Sequence, residues 1–214
     1  MNQIAFIYWK CKKSGSSFII LAVRFLYYRI IHHKTLLLHQ HVTIKGIKNI
    51  KVKKRLEVGI AYVGFSHKND RTLLNIQGKL IFRENYLIGR GCRFDVGKKG
   101  IIEFGIGGYI NNDSTFIIMN KLLVGDNCAI SWNCQFLDCD FHEFSYPGKK
   151  ESDPSIIIGD HVWIGCGSKI YKGSVIPDGC IVASDSVVKG VFTTKNALIG
   201  GNPARLLKEN VEWV

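Results

Sequence analysis

The chain has 214 residues, of which 46% are hydrophobic and 21% are charged, and this composition excludes an intrinsically disordered protein. The formal net charge of +12 is unevenly distributed, because residues 1–56 hold 12 Lys and Arg and no Asp or Glu, whereas the rest of the chain carries 17 of each sign. Such a basic block suggests an anionic partner, such as membrane lipid, nucleic acid or an acidic glycan, or else a solvated basic face.

The first predicted element is the apolar run FIILAVRFLYYRII at residues 18–31. It is interrupted by two arginines and is too short to cross a bilayer, which takes about 20 apolar residues. It also lacks the small-residue cleavage site of a signal peptide. The run predicts a helix that lies on a membrane or packs on the protein's own core. We therefore expect a basic, partly helical segment at residues 1–40.

A six-residue periodicity follows, and we expect it to organise residues 41–200. Apolar side chains recur at this interval in four runs: Ile44, Ile50, Leu56; Ile76, Phe82, Ile88, Phe94; Val124, Ile130, Phe136; and Ile158, Ile164, Ile170, Ile176, Val182, Val188. Because six is even, an extended chain keeps all of these side chains on one face, whereas an α-helix would spread them around its axis. One such unit cannot bury its own apolar face, so the units must stack into a solenoid.

A small residue lies four residues after many of these apolar positions, and most of the cysteines are found there. The seven cysteines show no CxxC spacing, which argues against a disulfide framework or a zinc site and favours a reducing, cytoplasmic location. Four of them occupy the small position of the repeat, which predicts buried structural residues without a redox role: Cys92, Cys128, Cys134 and Cys180.

The repeat resembles that of the left-handed parallel β-helix acyltransferases, and the resemblance spans residues 85–210. It implies an all-β solenoid in which three hexapeptides form one triangular coil. The segment IGGNPARLL, residues 199–207, resembles the family's closing segment. There Asn202 could cap a helix that begins at Pro203, so residues 201–214 are expected to form a capping helix and tail. Carbonic anhydrases of the same fold share the repeat, so the fold alone does not define the activity.

The repeat is interrupted by a loop at residues 137–157, whose first part lies in the stretch FLDCDFHEFSYPGKK at residues 136–150. Its DxDFH stretch resembles the catalytic loop of bacterial sugar O-acetyltransferases of the galactoside, maltose and O-antigen or capsule type. The resemblance implies that His142 is a general base, which takes a proton from a sugar hydroxyl and then protonates the leaving thiolate. Asp140 could orient the imidazole or cap the turn through backbone amides, and the capping role is preferred for Asp138.

His142 has two rival interpretations, a metal ligand and a merely structural loop residue. A carbonic-anhydrase-type site needs three histidines, and beyond residue 67 the chain offers only His142 and His161. We therefore expect no metal.

The segment GYINNDSTF, residues 108–116, resembles the family's YxN segment. The resemblance implies that Asn111 contacts the acceptor sugar, and Asn112 could substitute for it. An amide suits this role because it both donates and accepts hydrogen bonds. Both residues could instead belong to an asparagine ladder or to a left-handed turn.

The acyl donor would be held by residues that follow the loop. The resemblance implies that Trp163 lines the donor channel, although a trimer interface would also suit this side chain. It further implies that the backbone N–H at Cys166 stabilises the oxyanion and that the backbone at Ser184 faces the pantetheine arm. Three cationic residues would bind the phosphates of coenzyme A, or would simply be solvated: Lys189, Arg205 and Lys208.

The resemblance therefore implies an acetyl-CoA-dependent O-acetyltransferase that acts on a sugar of a bacterial surface polysaccharide (O-antigen, capsule or exopolysaccharide) or on its precursor. It implies a homotrimer with sites between subunits. The basic residues 1–56 could bring the enzyme to the cytoplasmic face of the membrane, and no nucleic acid partner is expected. The alternatives are N-acetylation of an amino sugar, a metal-dependent lyase of the carbonic-anhydrase type, and a non-catalytic docking module.

Overall fold

A computed structural model describes residues 3–61, 63–142, 145–148 and 152–214. The chain opens with two helices, α1 (Gln3–Ser14) and α2 (Phe18–Ile31). Ser17 caps the second helix, since its Oγ accepts the N–H of Ile20 at 3.3 Å. The helix predicted for the apolar run at residues 18–31 is therefore confirmed.

Within the described residues, 22 strands follow the helices. In chain order, β1 to β22 are Leu36–Leu38, Val42–Lys45, Ile50–Val52, Leu56–Val58, Thr72–Ile76, Lys79–Phe82, Tyr86–Ile88, Arg93–Val96, Ile101–Phe104, Tyr109–Ile110, Thr115–Ile118, Lys121–Val124, Ala129–Ile130, Gln135–Leu137, Ile156–Ile158, Trp163–Ile164, Lys169–Tyr171, Val175–Ile176, Ile181–Val182, Val187–Val188, Leu198–Gly201 and Ala204–Lys208.

Successive strands are distributed in turn over three sheets, so that three strands make one triangular coil. The first sheet has the order β1-β4-β7-β10-β13-β16-β19-β21-β22, the second β2-β5-β8-β11-β14-β17-β20, and the third β3-β6-β9-β12-β15-β18. All neighbours pair in parallel except β21 and β22. The stacked solenoid predicted from the six-residue repeat is therefore confirmed. We call the turns between the first and second sheets the first corner, and those between the second and third sheets the second corner.

The predicted repeat positions line the inside of the solenoid. Nearly all of the periodic apolar side chains are buried, and the rings of Phe94, Phe116 and Phe136 stack along the second sheet with centroids 4.4 and 4.6 Å apart. The small cysteines are buried as well. Burial raises the pKa of the Cys92 thiol to about 12 and that of Cys128 to about 11, which leaves both thiols protonated and unreactive.

A buried arginine of the solenoid binds the end of the first helix. Arg90 Nε donates to the carbonyl oxygen of Gly59 at 2.8 Å, and its Nη2 donates to the carbonyl oxygen of Ser14 at the end of α1. Its Nη1 donates to the carbonyl oxygen of His67 at 3.3 Å. The last contact lies in a second interruption of the repeat, at residues 59–71 between β4 and β5, which the periodicity alone did not predict.

Residues 201–214 differ from the expected capping helix. β22 returns antiparallel along β21 instead of forming a helix at Pro203, and Asn202 lies in the turn between the two strands. The reason is the free edge of β21, whose backbone groups would otherwise lack partners at the end of the first sheet. A strand satisfies that edge, which a helix could not do.

Candidate active site

The loop that carries His142 is anchored at its start by Asp138. This carboxylate is 1% exposed and accepts the backbone N–H groups of Met119, Asn120 and Lys121, each at 2.7 Å. The capping role preferred for Asp138 is therefore confirmed. Because three charge-assisted hydrogen bonds hold one side chain, the loop leaves the second corner from a fixed point.

His142 itself is exposed to solvent four residues beyond this anchor. Between them, Asp140 forms an ion pair with Lys172 on the second corner of the next coil. The structure therefore gives Asp140 a partner on the solenoid, and this pair helps to fix the loop.

The first corner carries the predicted amide and backbone donors. Asn112 is fully buried, and its Oδ1 accepts the N–H of Arg90 at 3.1 Å, whereas Asn111 is partly exposed. Asn112 therefore holds the turn through its amide oxygen, and Asn111 is the more accessible of the two amides. Two coils further along the solenoid, Cys166 Sγ lies 3.3 Å from Ser184 Oγ, so the structure brings these two predicted residues together.

The backbone N–H of Cys166 differs from those of the two residues that flank it. Gly165 N–H donates to the carbonyl oxygen of Val182 at 2.8 Å, and Gly167 N–H donates to that of Trp132 at 3.1 Å. In the described part of the chain, the N–H of Cys166 donates to no protein acceptor. A backbone donor without an internal acceptor can bind an external oxygen, which is what an oxyanion site requires.

Trp163 begins β16 on the outer face of the first sheet and is 40% exposed. Its Nε1 donates to Ser131 Oγ at 3.0 Å, which fixes the plane of the indole next to the first corner. Trp213 of the C-terminal tail lies 6.2 Å away and stacks on His161 at 4.1 Å. His161 therefore belongs to an aromatic cluster. Among the described residues, no group of three or more His, Cys, Asp or Glu side chains could hold a metal.

The three predicted phosphate-binding residues are all exposed but do not form one cluster. Lys189 lies on the second corner after β20, whereas Arg205 and Lys208 lie on β22 at the edge of the first sheet. Among the described residues, the Arg205 guanidinium donates one hydrogen bond, from Nη1 to the adjacent carbonyl oxygen of Ala204 at 3.2 Å, which leaves other donors for a ligand.

One chain does not bring all the predicted residues together. Asn111 and Cys166 lie on the first corner and His142 on the second, and a strand such as β11 separates the two corners by about 13 Å at 3.3 Å per residue. A concavity of about 500 Å³ lies elsewhere, on the third sheet beside Lys51 and Arg83, and none of the predicted site residues lines it.

Sequence reasoning missed three residues around the site. Phe65, from the second interruption, packs edge-on against Trp132 at 5.5 Å on the first corner, and Lys172 holds the loop of His142. The repeat assigns Trp132 and Lys172 only to turn positions. Phe65 lies outside the repeat, so no periodic signal could have identified it.

Comparison with known proteins agrees with this architecture. The family described as bacterial transferase hexapeptide (six repeats) matches residues 155–190. The chain is 38% identical to an uncharacterized 24.8 kDa protein in the cps region of Klebsiella pneumoniae, over 100% of this chain and 96% of that protein. It is 26% identical to WbbJ of Escherichia coli strain K12, which is named a lipopolysaccharide biosynthesis O-acetyl transferase, over 62% of this chain and 72% of WbbJ.

A solved structure supports the fold. The polysialic acid O-acetyltransferase OatWY superposes with a TM-score of 0.59, covering 81% of this chain and 86% of its own, at 21% identity. This likeness, together with the three parallel sheets, confirms the left-handed parallel β-helix. The chain therefore belongs to the bacterial hexapeptide-repeat transferases and is an acyltransferase.

Proposed function

We propose that the protein transfers an acetyl group from acetyl-CoA to a hydroxyl of a sugar in a bacterial surface polysaccharide, or in the precursor of one. The observation that carries the proposal is an exposed histidine on a loop whose first turn is fixed by Asp138 and by the Asp140–Lys172 pair. The naming of WbbJ for lipopolysaccharide biosynthesis, and the cps region of the Klebsiella relative, support a glycan acceptor.

In the proposed mechanism, His142 takes the proton of the acceptor hydroxyl while the oxygen attacks the thioester carbonyl. The tetrahedral intermediate carries its negative charge on the former carbonyl oxygen, where the free N–H of Cys166 would donate a hydrogen bond. The intermediate collapses, the carbon–sulfur bond breaks, and the imidazolium protonates the departing thiolate. An acetyl ester and coenzyme A result, and no covalent enzyme intermediate forms.

The other site residues bind the two substrates. Asn111 would hold the acceptor, because its amide can pair with sugar hydroxyls in both directions. Trp163 would line the donor channel beside the backbone at Ser184. The cationic side chains would meet the phosphates of coenzyme A: Lys189, Arg205 and Lys208.

We further propose that the site forms between copies of a homotrimer. The support is the separation of the first and second corners in one chain, which leaves Asn111 and Cys166 far from His142. Coexpression of His142→Ala with Asn111→Ala tests this arrangement. If sites are shared, each takes His142 from one subunit and Asn111 from its neighbour. One interface in four would then combine an intact His142 with an intact Asn111, so mixed trimers should recover about one quarter of the wild-type activity. A site within one chain would leave the mixture inactive.

The reaction itself is tested by incubating the purified protein with acetyl-CoA and a panel of neutral and amino sugar glycans, with release of coenzyme A and the acetylated product both measured. An alkali-labile acetyl ester is the expected product. An alkali-stable acetyl amide would instead identify the protein as an N-acetyltransferase. We place the enzyme in the cytoplasm, where acetyl-CoA is made.

A further inference from the structure

The N-terminal helices present an apolar surface that the solenoid does not cover. On α2, four apolar side chains are 54–75% exposed and share one side of the helix through their spacing of four, three and four residues: Ile19, Val23, Leu26 and Ile30. We call this set the outer face of α2. No charged residue interrupts it, because both arginines of the helix are used elsewhere.

The opposite side of α2 is firmly docked, so the outer face cannot rotate inward. Leu21 is 3% exposed in a small core that includes Leu37 of β1. Arg24 donates to the carbonyl oxygen of His39 at 2.9 Å and to that of Val42 at 2.8 Å. These contacts fix the orientation of the helix on the first coil, and they direct the outer face away from the protein.

The first helix extends the same surface. Ile4 and Tyr8 of α1 are exposed one turn apart, and an apolar groove of about 270 Å³ runs between the two helices beside Ile7 and Phe25. The described residues that line this groove are all apolar. The helices therefore offer a continuous apolar surface rather than scattered exposed residues, and a surface of that kind marks an interaction site.

Exposed positive charge lies at the end of α1. Lys12 and Lys13 are exposed at the end of α1, and the chain carries no acidic residue before Glu57. Lys10 is already neutralised by Glu57 at 2.6 Å. A second copy of this chain would bring an equally basic face against the first, which like charges oppose. An anionic lipid surface instead satisfies the lysines and the apolar side chains together.

We propose that α1 and α2 dock the enzyme on an anionic lipid bilayer, with the outer face of α2 within the interfacial region and Lys12 and Lys13 against the headgroups. The helices lie along the surface and do not span it: among the described residues, no helix is long and apolar enough to cross a membrane. This docking is independent of the transfer chemistry, so each can fail without the other.

The test is sedimentation of the full chain with vesicles of phosphatidylglycerol and phosphatidylethanolamine, and with vesicles of phosphatidylcholine alone. We expect binding to the anionic vesicles that weakens in high salt. The double variant Val23→Glu, Leu26→Glu should lower the partition coefficient by at least about tenfold. Lys12→Gln with Lys13→Gln should weaken binding to the anionic vesicles only.

The matched control is Ile106→Glu with Val191→Glu, since it adds the same two charges at exposed apolar side chains on the solenoid. It should bind like the wild type. The thermal midpoint of every variant is measured as well, and retained folding of the Val23/Leu26 variant is expected because both side chains are exposed. Unchanged vesicle binding by that folded variant would overturn the proposal. If the wild-type chain does not bind vesicles, and the Val23/Leu26 variant has a lower oligomeric mass than the wild type, the proposal is wrong and the surface is a contact between copies.

Discussion

The ammonium group of Lys172 is paired with the carboxylate of Asp140, two residues before His142. The side chains are 36% and 40% exposed, and an ion pair in that setting contributes little to global stability. Its effect is local: the pair ties the loop of His142 to the second corner of the next coil. Loop position and overall stability should therefore respond differently to its removal.

Lys172→Met should lower the turnover of acetyl transfer by about tenfold, since misplacement of a catalytic group reduces the rate steeply. The free energy of unfolding should change by less than about 1 kcal/mol. Steady-state kinetics and urea denaturation measure the two effects. Lys195→Met is the matched control, because Lys195 also forms an exposed pair, with Asp178 at 2.7 Å, outside the site. Equal turnover in both variants would contradict a positioning role for Lys172.

Asp138→Ala should lower the free energy of unfolding by about 3 kcal/mol, because three backbone N–H groups lose a buried acceptor. Asp138→Asn keeps one acceptor oxygen and should lose less. Chemical denaturation measures both, and Asp153→Ala, at an exposed aspartate, should leave the free energy of unfolding nearly unchanged. A loss as small as that at position 138 would mean that water replaces the carboxylate in the turn.

The surroundings of His39 make the free energy of unfolding depend on pH. Burial, with the positive charges of Arg90, His41 and Arg24, lowers the pKa of His39 to about 4, although Asp70 opposes the shift. Between the usual histidine pKa of about 6.5 and pH 4, His39 is protonated in the unfolded chain but neutral in the folded chain. Stability therefore falls as the pH drops through this range. From pH 7 to pH 5 this amounts to about 2 kcal/mol.

Urea unfolding at pH 7 and pH 5 checks this dependence, with His39→Gln beside the wild type. The variant should lose less stability on acidification, since it has no imidazole at this position that the unfolded chain could protonate. An equal loss in both proteins would assign the effect to other groups. Above about pH 7.5 the imidazole is essentially neutral in both states, so there His39 should contribute no pH dependence.

The solenoid was predictable because its signal is repeated. Each apolar position such as Ile164 or Ile170 is specified by a neighbour six residues away, so an error at one position is corrected by the others. The repeat also predicted burial at the positions that hold small residues, and Cys134 and Cys180 at these positions are buried. The helix at residues 18–31 followed from the length and the apolar character of one run.

The site was predictable only where a local pattern carried it. Neither the partnership of Lys172 with Asp140 nor the contact of Phe65 with Trp132 has a signal in the sequence, because each joins residues at least 32 positions apart. The expected C-terminal helix was wrong for a similar reason. The local Asn-Pro pattern suits a helix start. The free edge of β21 is a tertiary feature, and pairing with that edge makes the segment a strand.

The central claim concerns one imidazole, and its direct test is the rate of acetyl transfer by His142→Ala under saturating acetyl-CoA and acceptor. His33→Asn serves as the control, since it removes an exposed histidine from the N-terminal segment and asparagine tolerates the positive φ there. We predict a fall in turnover of about 10²–10⁴-fold for His142→Ala and wild-type turnover for the control. Wild-type turnover in a correctly folded His142→Ala protein would contradict the account.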